Sequence, residues 1–245
     1  MIYFWVGLGF IGFVWLLYVS LPAKHPRKVC IEGIENPEMV KQYNRMSNWP
    51  QFRFLRWLAI RKLEKLGLCG SLVDVGCGPG LLLAALKKRN PKIQINGIDI
   101  SCEMVKNAKA NFERLGINDA NFVAGDVGKL PIADGTFDFA VSTLSLHHWG
   151  DPVKGFSEIY RILKPGGQLL VFDVRRNIPK LMYGFLWFVQ NIVISKALRR
   201  ANEPTNSFLS SYTLKEIKSI LDNIPSIRNY DVSSGFLWNY ISANK

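Results

Sequence analysis

The feature that most constrains this chain is the run VDVGCGPG at residues 73–80. An apolar stretch typical of a buried strand, Leu72 to Val75, leads into glycines at every second position, and an apolar, helix-like run, Leu81 to Leu86, follows. Glycine lets the backbone turn sharply and approach a ligand closely, and the next helix presents free N–H groups. The run therefore predicts a nucleotide-type site at the carboxyl end of a parallel strand.

The glycine spacing narrows the choice of ligand. A dinucleotide fingerprint, G-x-G-x-x-G, requires a third glycine at position 81, which is Leu81. The run instead reads D-x-G-x-G-x-G, with Asp74 two residues before the first glycine. A carboxylate there suits a ligand with a cationic end and would repel a pyrophosphate. An NAD(P)-dependent oxidoreductase is therefore disfavoured.

Five further blocks follow in order: GIDIS at 97–101, GDV at 125–127, LPIADGTFD at 130–138, LSLHHW at 144–149 and LKPGG at 163–167. With the glycine run, they resemble the class I S-adenosylmethionine-dependent methyltransferases. The order and spacing are most similar to the methyltransferase type 11 branch, which includes ubiquinone and menaquinone C-methyltransferases. The resemblance covers roughly residues 70 to 175, and it implies a methyltransferase with S-adenosyl-L-methionine as cofactor.

The pattern of apolar segments predicts the fold. Strands at 71–76, 93–99, 121–125, 137–143 and 168–174 alternate with helices near 80–89, 102–115 and 151–163. This alternation predicts a Rossmann-like, doubly wound α/β sheet, mostly parallel, with helices on both faces. A helix at Thr213 to Asn223 and strands at Ile227 to Val232 and Leu237 to Ala243 follow. The resemblance implies that these strands close the sheet as an antiparallel pair.

Side-chain chemistry and the resemblance together indicate the cofactor-binding residues. Asp74 can attract the cofactor's ammonium group, through water or loop amides. The loop residues Gly76, Cys77, Gly78 and Gly80 let the backbone lie against the methionine and ribose portions.

The remaining cofactor contacts are expected after the next strands. Asp99 can accept both ribose hydroxyls, as an acid does in dinucleotide sites, and Ile100 would pack on the adenine face. The other expected residues are Asp126 for the adenine amino group, Val127 N–H for the ring, and Ser142 or Thr143 for a carbonyl to the ammonium. Helix capping or a solvated loop end is the alternative for the three acids.

Methyl transfer chiefly needs an in-line approach and an electron-rich or deprotonated acceptor. His147 and His148 follow the fourth strand and could act as general base, or they could have a structural role. No metal site is predicted, because the four cysteines lack paired ligand spacing and the chain has three histidines.

The N-terminus carries a second strong pattern. Residues Ile2 to Leu21 contain no charge and would span about 30 Å as a helix, the thickness of a bilayer's hydrocarbon core. Lys24, Arg27 and Lys28 follow, whereas a secretory signal peptide would have a basic start. We therefore expect a single-pass membrane protein with a transmembrane anchor at 2–21 and a cytoplasmic catalytic domain. A buried core helix is the alternative.

The net charge of +12 could indicate nucleic acid or an anionic membrane surface. Residues 22–65 hold ten Lys or Arg against four Glu, beside the expected anchor, and no RNA-binding motif is present. The composition favours the anionic lipid surface as partner over nucleic acid.

The rest of the chain divides into a basic linker at 22–37, a helical lid at 38–67 and a methyltransferase domain at 68–245 with an insertion at 175–212. In the methyltransferases that the chain resembles, helices at this position cover the cofactor and substrate mouth, so the lid helices are expected either to do the same or merely to cap the sheet. The insertion's apolar centre, Leu181 to Ile194, is too short to span a membrane and is either buried or interfacial. The candidate lid residues are Tyr43, Met46, Trp49 and Phe52 before the domain, and Trp187 and Phe188 in the insertion.

These observations favour a membrane-anchored S-adenosylmethionine-dependent methyltransferase. Its predicted acceptor is a small lipophilic molecule, such as a quinone precursor or an isoprenoid-type lipid. The alternative is a non-catalytic S-adenosylmethionine-binding scaffold on the membrane.

Overall fold

A computed structural model describes residue 16 and residues 19–29, 36–194, 199 and 204–245 of the chain. The strands are β1 Ser71–Val75, β2 Gln94–Asp99, β3 Ala120–Ala124, β4 Phe137–Thr143, β5 Leu163–Val174, β6 Tyr230–Ser234 and β7 Trp238–Asn244. The α-helices are α1 Pro37–Ser47, α2 Pro50–Lys65, α3 Leu81–Arg89, α4 Cys102–Arg114, α5 Pro152–Ile162, α6 Lys180–Phe188, α7 Thr205–Ser210 and α8 Leu214–Asp222. A 3-10 helix, Leu146–His148, follows β4, and a π-helix, Val189–Val193, continues α6.

The strands form one seven-stranded sheet in the order β3-β2-β1-β4-β5-β7-β6. Strands β1 to β5 are parallel, and β7 is antiparallel to both of its neighbours. The predicted Rossmann-like class with an antiparallel last strand is thereby confirmed. The strand order reverses between β1 and β4, so the crevice at their carboxyl ends is where this kind of sheet binds ligands.

Alternate residues of β1 supply the two faces of the core. Leu72 packs on the face covered by α2, α3 and α4, whereas Val73 and Val75 pack on the face covered by α5 and α8. All five residues of β1 are buried, as expected for a central parallel strand covered on both sides. The strand β5 begins at Leu163 rather than at the predicted residue 168, because Leu163 pairs with Phe137 across a β-bulge.

The prediction of a single-pass membrane protein with a transmembrane anchor at 2–21 is wrong. Among the residues that the structure describes, none belongs to a helix with the length and apolar character needed to cross a bilayer. Most of Ile2 to Leu21 lies outside the described residues, but its end does not. The Leu21 carbonyl accepts a hydrogen bond from the Lys180 N–H at 3.1 Å, so this end is attached to the first turn of α6.

Residues 21–29, here called the strap, lie against the insertion rather than forming a free linker. Pro22 pairs with Pro179, and the N–H of the buried Ala23 donates to the Ile178 carbonyl at 2.8 Å. Further along, the Lys28 N–H donates to the Leu209 carbonyl at 3.0 Å. The strap therefore connects α6 and α7 by backbone hydrogen bonds.

Candidate active site

The glycine loop after β1 adopts a backbone that only glycine tolerates well. Gly76, Gly78 and Gly80 have φ angles of 77°, 51° and 74°, in the left-handed region that disfavours side chains with a Cβ. A Cβ at Gly76 would lie 2.1 Å from Ser145 Oγ, so the loop after β1 contacts the segment after β4 directly. The N–H groups of Gly76 and Cys77 both donate to the Ile98 carbonyl of β2, at 2.7 and 3.0 Å. The loop is therefore hydrogen-bonded to β2 and lies directly against the segment after β4.

Asp99 attaches the end of β2 to the loop. Its Oδ2 accepts a hydrogen bond from the Gly78 N–H at 2.7 Å, and its Oδ1 accepts from the Ser101 N–H at 2.9 Å. A carboxylate has about four lone-pair sites, so a carboxylate held by backbone N–H groups can also accept from a ligand hydroxyl. The geometry gives the Asp99 carboxylate a fixed orientation at the end of β2.

Asp74 is a buried carboxyl group near the carboxyl end of β1. It is 1% exposed, and among the described residues its Oδ1 has no hydrogen-bond partner. Burial, and second the nearby charge of Asp99, raise the pKa of Asp74 to about 8. Ser142 is fully buried, and its Oγ also lacks a partner within the same described residues. Buried polar atoms are rarely left unsatisfied, and these two fit a ligand with a cationic hydrogen-bond donor.

The other predicted cofactor residues lie at or just after the carboxyl ends of β1, β2, β3 and β4. Ile100 is 53% exposed, so its side chain is accessible at the site. Asp126 is exposed, its Oδ1 accepting from the Gly128 N–H at 2.8 Å, and Val127 packs against the core near Gly155. Thr143 ends β4 and is half-buried. Burial raises the pKa of the Cys77 thiol well above its ordinary value, so Cys77 is a neutral part of the loop at physiological pH.

The residue after β4 carries backbone strain that the sequence does not indicate. Leu144 has φ 56°, the one non-glycine residue in the described ranges with a positive φ. Its N–H donates to the Phe172 carbonyl of β5 at 2.8 Å. Strained conformations of this kind cluster at functional sites. Here the turn brings Ser145 against Gly76 and starts the 3-10 helix that carries His147 and His148.

His147 forms a buried pair with Asp173 of β5. The side chains are 3% and 2% exposed, and His147 Nδ1 lies 2.8 Å from Asp173 Oδ1. The ring of His147 lies 4.0 Å from that of the half-buried His148. Sequence reasoning missed Asp173, although a single acid within the apolar segment LLVFDV is a signal that could have found it.

An apolar cap forms where α1 and α2 meet the insertion. Its residues are Tyr43, Met46, Trp49, Phe52, Val189 and Ile194. A Cβ at Gly78 would lie 3.8 Å from Tyr43 Cε1, so the cap reaches the glycine loop. Two of the predicted lid residues lie elsewhere: Trp187 and Phe188 are 62% and 47% exposed and do not belong to this packed cluster.

Comparison with known proteins agrees with this arrangement. Residues 73–171 match the family model described as a methyltransferase domain. This part of the chain is a methyltransferase domain. The predicted enzyme class is thereby confirmed for the domain. Within the described ranges, no group of three or more His, Cys, Asp or Glu residues could hold a metal ion.

Two curated relatives and one solved structure illustrate the match. The chain is 30% identical over 148 residues to the ubiquinone/menaquinone biosynthesis C-methyltransferase UbiE of Desulfotalea psychrophila, covering 60% of this chain and 59% of the relative. It is 31% identical over 141 residues to the demethylmenaquinone methyltransferase of Thermus thermophilus, covering 55% and 61%. A SAM-dependent methyltransferase from Aquifex aeolicus shares the fold, with a TM-score of 0.62 and 22% identity over 85% of this chain and 98% of that one. The chain thus spans about six tenths of the length of these two curated relatives.

Proposed function

We propose that this protein is an S-adenosylmethionine-dependent methyltransferase that methylates a small lipophilic acceptor. The observation that carries the proposal is the contact between the apolar cap and the glycine loop, where Tyr43 approaches Gly78. A polar cradle suited to a charged cofactor therefore adjoins a wall of apolar side chains. Such a wall favours an apolar acceptor and keeps water from it. The names of the two curated relatives support a quinone precursor, and an isoprenoid-type lipid fits the same wall.

The described residues fit the proposed cofactor. The buried Asp74, whose Oδ1 has no hydrogen-bond partner among the described residues, suits the ammonium group once it is ionised, and the carboxylate of Asp99 is oriented to accept from the ribose hydroxyls. The residues proposed to complete the site are Gly76, Cys77, Gly78 and Gly80 along the methionine and ribose, Ile100, Asp126 and Val127 around the adenine, and Ser142 and Thr143 at the ammonium. When bound, the cofactor supplies an electrophilic methyl group on a sulfonium.

The protein contributes to the chemistry by positioning the acceptor. Where the acceptor must lose a proton, the protein also supplies a base. The cap orients an apolar acceptor beside the loop. His147 and His148 lie just beyond β4 on the 3-10 helix, and we propose that one of them accepts the acceptor's proton. A non-catalytic cofactor-binding scaffold would need neither the cap nor a base.

The experiment incubates the full chain with methyl-labelled S-adenosylmethionine and either an organic extract or the water-soluble fraction of host cells. We expect label in a product of the organic extract, identified by mass spectrometry. Met46→Ser should lower product formation more than tenfold while leaving the dissociation constant of the cofactor within about threefold. Lys41→Ser, on the same helix but outside the packed cluster, is the matched control.

Three results would count against the proposal. Cofactor binding without any labelled product would identify the scaffold instead. Label confined to the water-soluble fraction would rule out a lipophilic acceptor. If the Met46 and Lys41 substitutions had equal effects on product formation, the cap would not be part of the acceptor site.

A further inference from the structure

We propose that three asparagines form a relay that couples the lid helix α1 to the glycine loop, so that closure of the lid and retention of the cofactor stabilise each other. The relay consists of Asn44 on α1 and of Asn107 and Asn111 on α4. The inference rests on the proposed function for the identity of the cofactor alone. It gives a positioning role to side chains that were not among the predicted site residues.

The hydrogen bonds of the relay run without a break from the lid to the loop. Asn44 Nδ2 donates to Asn107 Oδ1 at 3.2 Å, a bond between residues 63 positions apart in the chain. Asn111 Nδ2 donates to the same Asn107 oxygen at 3.1 Å and to the Pro79 carbonyl, in the middle of the glycine loop, at 2.8 Å. One oxygen on α4 therefore joins the lid helix to the group that holds the loop.

The partners of Asn111 fix the direction in which each amide of the relay faces. The Arg114 guanidinium, which can only donate, donates to Asn111 Oδ1, and the Pro79 carbonyl can only accept. Asn111 must therefore present its NH₂ group to the loop and to Asn107, and Asn107 must present its oxygen to both of its neighbours. Asn107 thus acts as an acceptor in the relay, whereas Asn111 uses both ends of its amide.

The helix α4 also supports the loop by close packing. A Cβ at Gly80 would lie 3.1 Å from Phe112 Cε2 and 3.3 Å from Ala108 Cβ, so the loop backbone rests directly on α4. The side chains of Ala108, Asn111 and Phe112 are buried. Because the loop is held by both the surface of α4 and the amide of Asn111, a change at Asn107 is passed on to the loop.

The lid helix covers the loop that the relay holds. Tyr43, the neighbour of Asn44 in the chain, approaches Gly78, where an added Cβ would lie 3.8 Å from Tyr43 Cε1. With the cofactor against the loop as proposed, α1 must move before the cofactor leaves. If the relay is weakened, a smaller fraction of molecules has the lid closed, and the apparent dissociation constant rises by the same factor.

The first test uses the different requirements at positions 107 and 111, with calorimetry of S-adenosylmethionine binding to the full chain. Asn107→Asp keeps an acceptor for both amides, so its dissociation constant should stay within about threefold of the wild type, whereas Asn107→Leu should raise it about tenfold. Asn111→Asp should raise it at least as much, because a carboxylate oxygen would face the Pro79 carbonyl. Asn48→Leu is the matched control, because this exposed amide donates to a carbonyl of its own helix α1.

The second test, amide hydrogen exchange of the full chain, separates coupling from stability. In the wild type we expect S-adenosylmethionine to slow exchange in both the glycine loop and α1. In Asn107→Leu at saturating cofactor, it should still slow exchange in the loop, but the slowing in α1 should fall to about half or less of the wild-type value. A residue that merely stabilised the fold would raise exchange with and without the cofactor and leave the cofactor-induced difference in α1 unchanged.

The outcomes separate this inference from the proposed function. Wild-type affinity in Asn107→Leu, equal losses in Asn107→Asp and Asn107→Leu, or an unchanged cofactor-induced difference in α1 would each overturn the inference. If the wild type also methylates its acceptor, the function stands without it. If the wild type does not bind S-adenosylmethionine, the proposed function fails and the relay fails with it. If Asn111→Asp does not fold, the two substitutions of the half-buried Asn107 decide.

Discussion

The carboxylate of Asp99 accepts a hydrogen bond from the Gly78 N–H at 2.7 Å, which attaches the end of β2 to the middle of the glycine loop after β1. The same carboxylate accepts from Ser101, the residue that caps α4. One acid therefore fixes the loop, the strand end and the helix start relative to one another. A ligand that bridges the loop and β2 meets a site that is already assembled.

We expect Asp99→Ala to weaken S-adenosylmethionine binding by more than tenfold. Two charge-assisted hydrogen bonds to the ribose would be lost, each contributing about 1.5–3 kcal/mol. Calorimetry measures the dissociation constant, with NADH as a ligand expected not to bind. Asp134→Ala, which removes an exposed acid, is the control. Unchanged affinity in a folded Asp99→Ala variant would exclude this site.

Gly76→Ala should destabilise the protein far more than Gly116→Ala. Both glycines have positive φ, so each substitution incurs about 1–2 kcal/mol of backbone strain. A Cβ at Gly116 meets no atom within 4 Å, whereas one at Gly76 collides with Ser145. Urea denaturation gives the two free energies of unfolding. Similar losses for both variants would show that the loop and the segment after β4 are not in close contact.

The raised pKa of Asp74 predicts that ligand-free stability falls as pH rises from about 4 to about 8. The unfolded state gives up the proton near 3.8, whereas the folded state keeps it up to about pH 8, so the unfolded state binds fewer protons in this window. Asp74→Asn should remove that fall, measured by denaturation across the window. Affinity for the cationic cofactor should rise over the upper part of this window in the wild type and not in the variant.

Asp138 is the matched control for this pH experiment, because its pKa is shifted in the opposite direction to that of Asp74. Hydrogen bonds from Lys164 and then Ser71 lower the pKa of Asp138 to about 2. Its contribution to stability is therefore present above about pH 4 and is lost as pH falls through about 2. Asp138→Asn should lose stability at neutral pH and approach the wild type in strong acid. If the difference in unfolding free energy between a variant and the wild type does not change with pH, the pKa shift of that residue is contradicted.

Arg176 is expected to hold the strap on the domain. This buried guanidinium donates to the His25 carbonyl at 2.8 Å, to the Ser211 carbonyl at 2.6 Å and to Glu216. Arg176→Met should lower the free energy of unfolding by about 3 kcal/mol, because hydrogen bonds to a charged group are lost. Tryptic cleavage at the strap should also become faster. Lys154→Met, at an exposed ion pair, should change stability by at most about 0.5 kcal/mol.

The double substitution Trp187→Ser/Phe188→Ser should leave the fold intact, because both side chains are largely exposed. We expect turnover of a long-chain acceptor to fall more than that of a short-chain, water-soluble analogue, with cofactor affinity unchanged. Thermal denaturation, calorimetry and turnover of both acceptors provide the three measurements. Equal loss for both acceptors would exclude these two aromatics from acceptor selection.

Local patterns in the sequence were sufficient for the sheet and for the polar loop. The strand and helix positions follow from the spacing of apolar residues, and the glycines at 76, 78 and 80 follow from a backbone conformation that is local to the loop. Asp99 could be placed because parallel strands end at the same edge of the sheet, next to the glycine loop. In each case, the information lies within a few residues of the feature that it determines.

Contacts between distant segments were decided by the tertiary structure alone. The pairing of His147 with Asp173, the approach of Tyr43 to Gly78 and the attachment of the strap to α6 join residues that are far apart in sequence. The hydropathy of residues 2–21 also predicted a membrane anchor ending at Leu21. Hydropathy reflects the composition of a segment and carries no information on what that segment packs against. The structure attaches that end to Lys180 instead. The sequence alone thus determined the fold class and the conformation of the glycine loop, whereas only packing between distant residues determined the apolar cap and the attachment of the strap.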